Sequence, residues 1–142
     1  MLQIGLGLVF QNFNLIEGLS VYENLLAPFA LTNFKANVRE EMIKRALSLA
    51  NISHKRDENV SNLSGGERQR CAVARALSMD ADIILADEPT ANLDRQNARA
   101  FLGLLESFKA LKKSVIVATH DNIFDELSAT DRTLSLQNGE IV

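Results

Sequence analysis

The sequence predicts an α/β protein with a parallel sheet, for three reasons. Short aliphatic runs alternate along the chain with segments of helical periodicity, the order that parallel layering requires. The 142 residues are 46% hydrophobic and 23% charged, which is typical of a globular chain with a core of its own. Two aliphatic runs, at 83–86 and 114–118, flank one amphipathic stretch and together indicate a strand, helix, strand unit.

Composition also excludes several classes of function. Lys and Arg number 15 against 18 Asp and Glu, so the net charge of -3 gives no electrostatic footprint for nucleic acid, and we expect no such partner. The single cysteine, Cys71, forms no internal disulfide, which favours the reducing cytosol. The apolar opening run 1–10 has no basic residue before it and is too short to span a bilayer.

The first half of the chain is predicted to hold one strand and two helices. The run GLGLVF at 5–10 is typical of a short buried strand. Ser20 and Glu23 form a capping-box pattern and predict a helix start. A second helix is predicted over 37–50, with its first residue, Asn, as the cap and Glu40 at the third helical position. The polar stretch 51–62 predicts a loop.

The second half predicts the other strands and a hairpin. The aliphatic runs 83–86 and 114–118 are expected to be central parallel strands. Apolar residues recur at helical spacing from Phe101 to Leu111, so a helix capped by Asp94 is expected between these strands. Near the end, the Asn-Gly pair at 138–139 predicts a tight hairpin turn.

The first chemical motif is the run LSGGERQR at 63–70. Ser64 is expected to cap a helix, and Glu67 to return the second hydrogen bond of the capping box. Gly65 and Gly66 carry no side chain, so a phosphate can approach the free amides of the first turn. Taken alone, the run equally fits an ordinary capped helix with a glycine-rich start, because serine caps are common.

The second motif places two carboxylates at the end of a buried strand, in IILADE at 83–88. Ligands of open α/β sheets bind at this end of the strands. Acids without a partner are unfavourable there unless they serve a metal or a reactant. We therefore expect Asp87 to hold Mg²⁺ through its water shell and Glu88 to polarise an attacking water.

Together, the runs LSGGERQR, IILADEP and ANLD resemble the ABC-type ATPase family, the nucleotide-binding subunits of ABC transporters. Phe10-Gln11 resembles the Q-loop of that family, and Thr119-His120 resembles its switch histidine. The resemblance runs from about Gly5 to the C-terminus. Within it, the stretches at 13–15 and 23–25 look most similar to the branch that serves lipoprotein release, macrolide and peptide efflux, and cell division.

The resemblance implies a fold, a division of the chain and an activity. The fold would be part of the P-loop NTPase-type sheet of an ABC ATPase, with a helical subdomain. Residues of about 20–80 would form that subdomain with its signature helix, and 81–142 would run from the Walker B strand to the switch histidine. The chain would couple hydrolysis of ATP, with Mg²⁺, to export across a membrane.

The family pattern also assigns the nucleotide-binding residues and partners. Ser64, Gly65 and Gly66, with Glu67 beside them, would bind the γ-phosphate of an ATP held mainly by a second subunit in a head-to-tail dimer. Asp94 would be the acid of the D-loop, although alone it equally fits a helix cap. A transmembrane permease would hold the chain at the cytoplasmic face of the membrane.

The remaining assignments concern catalysis. Asp87 would be the Walker B acid and Glu88 the general base. His120 would sense the γ-phosphate, although alone it also fits a surface histidine. Gln11 would contact Mg²⁺ or the attacking water and couple the site to the membrane partner; alone it also fits a turn residue. Elsewhere, we expect His54 to be exposed, Cys71 to be packed, and the arginines of the signature helix to have acidic neighbours, namely Arg68, Arg70 and Arg75.

One family motif, the Walker A loop G-x-x-x-x-G-K-[ST], is absent from the sequence, and Lys35 is the first basic residue. Three explanations compete. The chain is a truncated or split form of an ordinary ATP-binding subunit, or a non-catalytic interaction module that supplies only the signature half of a composite ATP site, or a remnant without function. We expect the isolated chain to be inactive. We also expect its sheet to expose apolar edges, which predicts poor solubility or dependence on another chain.

Overall fold

The computed structural model of the chain describes residues 5–142, which adopt the predicted α/β architecture. Three parallel strands form one sheet in the order β1-β2-β3. The register pairs Val9 with Ala86 and Ala86 with Val117, so the carboxyl ends of the strands meet at one edge. The strands are β1 (Leu6–Val9), β2 (Ile83–Asp87) and β3 (Ser114–Ala118).

In the described part of the chain, four α-helices connect these strands and cover one face of the sheet. Short 3₁₀ turns follow or precede them at Ala27–Leu31, Ser53–Lys55, Val60–Asn62 and Asn122–Glu126, so the predicted loop over 51–62 contains two such turns. The helices are α1 (Val21–Leu26), α2 (Ala36–Leu49), α3 (Gly65–Leu77) and α4 (Arg95–Ala110), and a final hairpin joins β4 (Leu136–Gln137) to β5 (Glu140–Ile141). Asn138 and Gly139, with φ of 52° and 84°, form its turn as predicted.

The helix starts follow local sequence except at α2. Capping boxes open α1 at Ser20 and α3 at Ser64, as predicted. The expected Asn37 cap of α2 is wrong, because the N-cap lies two residues earlier, at Lys35, where no side-chain hydrogen bond caps the helix. Glu40 is therefore not at the third helical position. Its carboxylate accepts two hydrogen bonds from the Arg56 guanidinium, at 2.6 and 3.1 Å.

The core lies between one face of the sheet and the helices. Helix α3 packs so closely on β1 that a Cβ placed on Gly7 would lie 2.6 Å from the carbonyl oxygen of Ala76. Only glycine permits that approach. Cys71 is fully buried in this core and His54 is exposed, as expected. Within residues 5–142, no helix combines the length and the apolar character needed to cross a membrane.

The opposite face of the sheet is left apolar and uncovered by the residues described. Leu6, Leu8 and Ile116 share this face and are 57%, 42% and 61% exposed. Parallel sheets normally have both faces covered, because the connections between their strands place helices on each side. The sequence predicted exposed apolar edges, and the apolar exposure found here lies on a face of the sheet.

Candidate functional site

The carboxyl ends of β2 and β3 bring five polar residues together. Glu88 is at the centre: its carboxylate accepts hydrogen bonds from Thr119 Oγ1 at 3.0 Å and from the His120 backbone N–H at 3.1 Å. His120 Nδ1 lies 2.6 Å from Glu88 Oε1. Beside this pair, buried Thr90 donates to Asp121 Oδ2 at 2.7 Å. We call these residues, Glu88, Thr90, Thr119, His120 and Asp121, the strand-end cluster.

The backbone of Glu88 has an uncommon conformation that places it just beyond the strand. Its N–H donates to the Ala118 carbonyl at 2.8 Å, which extends the pairing of β2 with β3 by one residue. Its φ of 43° lies in the left-handed region, where a residue with a Cβ is strained by about 1–2 kcal/mol. Strain of this kind concentrates at functional sites. Four residues of the cluster line a cavity of about 560 Å³, namely Glu88, Thr90, His120 and Asp121.

Hydrogen bonding within the cluster shifts two pKa values in opposite directions. Burial alone would raise the pKa of Glu88, but the hydrogen bonds from His120 and Thr119 outweigh burial and lower it below the usual range. The hydrogen bond to Glu88 raises the pKa of His120, and the charge of Glu88 adds to that effect. The charged forms of both residues therefore favour each other. Glu88 is a carboxylate at neutral pH and able to orient a water.

Asp87 is the last residue of β2 and is exposed. Within residues 5–142, nothing donates a hydrogen bond to its carboxylate or forms an ion pair with it. No group of three or more His, Cys, Asp or Glu in this part of the chain is arranged to hold a metal ion. Mg²⁺ is usually held by one or two carboxylates together with waters and substrate phosphates. The free carboxylate of Asp87 fits that mode.

A second group of residues surrounds the start of α3. Ser64 Oγ accepts a hydrogen bond from the Glu67 N–H at 3.4 Å, and the Ser64 N–H donates to Glu67 Oε2 at 2.8 Å. The two glycines differ in burial. Gly65 is exposed, whereas Gly66 is buried and a Cβ placed on it would lie 2.1 Å from Asn97 Oδ1. Packing against α4 therefore explains Gly66, and Gly65 leaves the first turn open to solvent.

The start of α4 completes this group. Asp94 caps α4 by accepting from the Asn97 N–H at 2.8 Å and from Asn97 Nδ2 at 2.7 Å. The backbone hydrogen bond from Asn97 lowers the pKa of Asp94, and the side-chain bond adds to the effect. We call the whole group the helix-start cluster: Ser64, Gly65, Gly66, Glu67, Asn92, Asp94 and Asn97.

Asn92 connects this cluster to Gln11. Its Nδ2 donates to the Gln11 carbonyl at 2.9 Å, and its own carbonyl oxygen lies 3.6 Å from the position of a Cβ on Gly65. Gln11 itself is exposed and lies two residues after the end of β1 at Val9. The structure thus joins Gln11 to the helix-start cluster through Asn92, and places Glu88 with His120 in the strand-end cluster.

Sequence reasoning missed Asn92, Asn97 and Thr90. Each is a short polar residue in or beside a turn, where such residues are common for local reasons. The Asn92 contact spans 81 positions along the chain. Its only sequence signal is the position of Asn92 within the ANLD run beside Asp94.

Comparison with known proteins identifies the family that the chain resembles. The ABC transporter family matches residues 1–91. The methionine import ATP-binding protein MetN 4 of Oceanobacillus iheyensis is 34% identical over 139 residues, covering 96% of this chain and 40% of the relative. The macrolide export ATP-binding/permease protein MacB of Chlorobaculum tepidum is 34% identical over 136 residues, covering 96% of this chain and 20% of the relative.

Solved structures agree as well. A dimeric structure of a post-hydrolysis state of the ATP-binding cassette MJ0796, bound to ADP and Pi, superposes with a TM-score of 0.78 at 33% identity. The match covers 97% of this chain and 61% of that one. The chain therefore spans less than two thirds of the length of each of these three proteins.

Proposed function

The chain belongs to the ABC transporter family, among its ATP-binding subunits, and on that premise we propose that it contributes two parts of an ATP hydrolysis site. The strand-end cluster activates water, and the helix-start cluster contacts the γ-phosphate of a second nucleotide. The single observation that carries the proposal is the contact of Glu88 with Thr119 and His120 at the edge where the parallel strands end.

In the strand-end cluster, Glu88 is the general base. Its carboxylate is ionised and is fixed on two sides by hydrogen bonds, so it is ready to accept a proton from a water placed in line with the scissile phosphate. His120 is the γ-phosphate sensor, because its exposed imidazole is free to leave Glu88 for a phosphate oxygen. A bound phosphate competes directly with Glu88 for the imidazolium.

Asp87 and Gln11 are the residues that would hold Mg²⁺. Both offer oxygen ligands and both are exposed. When bound, the metal would neutralise charge on the transferring phosphoryl group. Asn92 fixes the Gln11 backbone, which limits the positions that the Gln11 side chain can reach.

In the helix-start cluster, Ser64 and Gly65 face solvent at the N-terminus of a 13-residue helix. Free N–H groups at such a terminus favour an anion. Ser64, the Gly65 and Gly66 backbone, and Glu67 beside them are proposed to complete the γ-phosphate contacts of an ATP that a second subunit holds. Asp94 keeps the facing turn in place through Asn97.

This division assigns residues of about 20–80 to a helical subdomain with the signature helix, and 81–142 to the catalytic α/β part. The lysine and loop that hold the α- and β-phosphates in P-loop enzymes have no counterpart in these 142 residues. We propose that polypeptide outside this sequence, continuous with it or separate, supplies them. The uncovered apolar face at Leu6, Leu8 and Ile116 supports that view.

The partners follow from the relatives. One relative is a combined ATP-binding and permease protein, and one solved cassette is a dimer. We propose a permease partner that holds this chain at the cytoplasmic face of a membrane, and a head-to-tail second subunit. An importer and an exporter match at the same identity, 34%, so the proposal concerns transport and not its direction.

The test is to supply the missing loop. A segment of a family member that carries G-x-x-x-x-G-K-[ST] is fused ahead of Gly5, and this P-loop fusion is assayed for Mg·ATP hydrolysis beside the unfused chain. The fusion should hydrolyse ATP, and the unfused chain should bind ATP weakly or not at all. Glu88→Gln in the fusion should lower kcat by about 10²–10⁴-fold, the usual contribution of a general base.

The matched control is Glu126→Gln, which removes an exposed carboxylate that pairs with Arg95 and Arg99. It should leave kcat unchanged. Equal activity of Glu88→Gln and the parent fusion would refute the assignment of Glu88. A fusion that binds ATP and stays inactive would favour the non-catalytic module.

A further inference from the structure

Residues 11–19, between β1 and α1, have no regular secondary structure, and side chains from elsewhere hold their backbone. The buried Asn24 side chain accepts from the Ile16 N–H at 2.7 Å and donates to the Ile16 carbonyl at 3.2 Å. Asn92 donates to the Gln11 carbonyl at 2.9 Å. The segment is therefore fixed at its beginning and in its second half.

Arg75 of α3 holds the middle of the segment. Its Nη1 donates to the Asn14 carbonyl at 2.5 Å and its Nη2 to the Phe13 carbonyl at 2.9 Å. Phe13 and Asn14 have φ of 62° and 48°, in the left-handed region that residues with a Cβ rarely occupy. Such conformations persist where the surroundings over-determine them. One guanidinium group, that of Arg75, therefore holds the carbonyls of both left-handed residues.

Within the described residues, the guanidinium of Arg75 has no hydrogen-bond partner other than these two carbonyls. The expected acidic neighbour is wrong for Arg75, which forms no ion pair within residues 5–142, although Arg68 of the same helix pairs with Glu17. Burial lowers the pKa of Arg75, so the surroundings oppose its charge. A partly buried guanidinium is unfavourable unless it is hydrogen-bonded. The two backbone carbonyls supply those hydrogen bonds.

The next residue of α3 anchors the helix to β1. The carbonyl of Ala76 lies against Gly7, where a Cβ would come within 2.6 Å of it. Two adjacent residues of α3 thus hold consecutive parts of the chain: Ala76 contacts β1, and Arg75 contacts the segment at 11–19 that follows β1. We therefore expect a displacement of α3 to move the segment between β1 and α1, to which Gln11 belongs.

We propose that Arg75 is a positioning residue that sets the location of the Gln11 side chain and links it to the start of α3. The inference rests on the proposed role of Gln11 as a ligand of Mg²⁺ or water. Ser64 and Gly65 begin the helix that carries Arg75. Contact at the helix start is transmitted along α3 and through the Arg75 fork to Gln11.

The first experiment measures backbone hydrogen exchange in the full chain. The reporters are the amides of Phe13 and Asn14, which donate to Phe10 and Asn12. Arg75→Met should accelerate their exchange at least about tenfold, since hydrogen bonds to a charged group contribute on that scale. Amides of β2 should keep their exchange rates.

Two further variants sharpen the measurement. Arg75→Lys keeps the charge but not the two-pronged geometry, so it should recover only part of the protection. Arg99→Met is the matched control, because it removes an exposed arginine of α4 whose partner is Glu126. It should leave the two reporters unchanged. Acceleration spread evenly over the chain, or none at Phe13 and Asn14, would overturn the proposal.

The second experiment is a double-mutant cycle in the P-loop fusion. Arg75→Met should raise the Mg²⁺ concentration for half-maximal hydrolysis, as Gln11→Ala should. If Arg75 acts through Gln11, adding Arg75→Met to Gln11→Ala should change nothing more. If Arg75→Met acted only by reducing the amount of folded protein, it would lower activity in the Gln11→Ala variant as well. Additive effects of the two substitutions on the Mg²⁺ dependence would overturn the proposal.

The two experiments separate two kinds of failure. An inactive fusion with intact parent protection at Phe13 and Asn14 counts against the proposed ATPase function alone, and the exchange result still decides whether Arg75 holds the segment. If the fusion is active and Arg75→Met leaves its Mg²⁺ dependence unchanged, only the proposed positioning role of Arg75 is contradicted.

Discussion

The two clusters of the site are held together by different interactions. In the helix-start cluster, Gly66 packs directly on Asn97, whose amide is fixed by Asp94. In the strand-end cluster, the side chains of Glu88 and His120 hold each other, and both of them titrate. The first arrangement presents a fixed surface of backbone groups. The second changes its hydrogen bonds when a proton or an anion arrives.

This difference matches the two proposed tasks. A γ-phosphate contact benefits from donors that are already in place before the ligand binds. A base and a sensor have to exchange partners during turnover, and an ion pair at the surface is weak enough to allow it. The 87% exposure of the His120 side chain is consistent with such an exchange.

The largest expected effect on stability tests the packing of the helix-start cluster. Gly66→Ala should lower the free energy of unfolding by about 1–3 kcal/mol, because the new methyl group overpacks against Asn97. Asn97 cannot turn away without losing its 2.7 Å bond to Asp94. Denaturant unfolding of the chain measures the change.

Gly103→Ala is the matched control for that substitution. Gly103 is an exposed glycine inside α4, and no atom of residues 5–142 lies within 4 Å of a Cβ placed there. Alanine there should raise the free energy of unfolding by about 1 kcal/mol, the helix-propensity difference. Similar effects of the two substitutions would contradict the close packing of Gly66.

A smaller effect separates packing from ligand contact within the same cluster. Gly65→Asp should leave the chain as stable as the parent, or more stable by about 0.3–1 kcal/mol, because a carboxylate in the first turn suits the helix dipole. The nearest neighbour of a Cβ there is the Asn92 carbonyl at an ordinary 3.6 Å. Thermal unfolding measures this part.

The same variant should lose ATP-driven association with a partner subunit that has an intact P-loop, because the added carboxylate blocks the approach of the γ-phosphate and repels it. Association is measured by analytical ultracentrifugation with and without ATP. Parent-like association would refute the γ-phosphate assignment. A loss of stability equal to that of Gly66→Ala would show that Gly65 is also a packing position.

Local features of this molecule could be predicted from its sequence. The capping boxes at Ser20 and Ser64 depend on residues three apart, and the aliphatic runs define the strands without further information. The α/β fold followed from the alternation of these runs with helical segments, and the ABC family followed from motifs that lie within short stretches. The start of α2 was wrong because Glu40 has a distant partner, Arg56, that competes with the local capping pattern.

Contacts between distant parts of the chain could not be predicted. Nothing near Arg75 in the sequence indicates that its guanidinium meets Phe13 and Asn14, about 60 positions away. An arginine on a helix is most often solvated or paired with an acid, and that pattern gave the wrong neighbour. The left-handed backbone of Glu88 is equally invisible, because the motif fixes residue types and not dihedral angles.

The smallest expected effect tests the strand-end cluster through pH. The folded state lowers the pKa of Glu88 from its ordinary 4.5, so this stabilisation is present above about that pH and is lost as the pH falls through the folded pKa. It raises the pKa of His120 from 6.5, so that stabilisation is complete below about 6.5 and is lost as the pH rises through the folded pKa. The pair therefore contributes most between these two values.

Thermal unfolding of the parent and of His120→Gln, in EDTA from pH 4 to 9, measures this contribution. The difference in Tm between the two proteins should be largest between about pH 4.5 and 6.5. It should shrink at lower pH, where Glu88 becomes protonated, and at higher pH, where His120 becomes neutral. It should remain small and weaken with added salt, because the imidazole is exposed. NMR titration of His120 should show a lower pKa in Glu88→Gln than in the parent. A pKa that does not respond to Glu88→Gln would mean that the two side chains do not pair in solution, and the contrast between the two clusters would be lost.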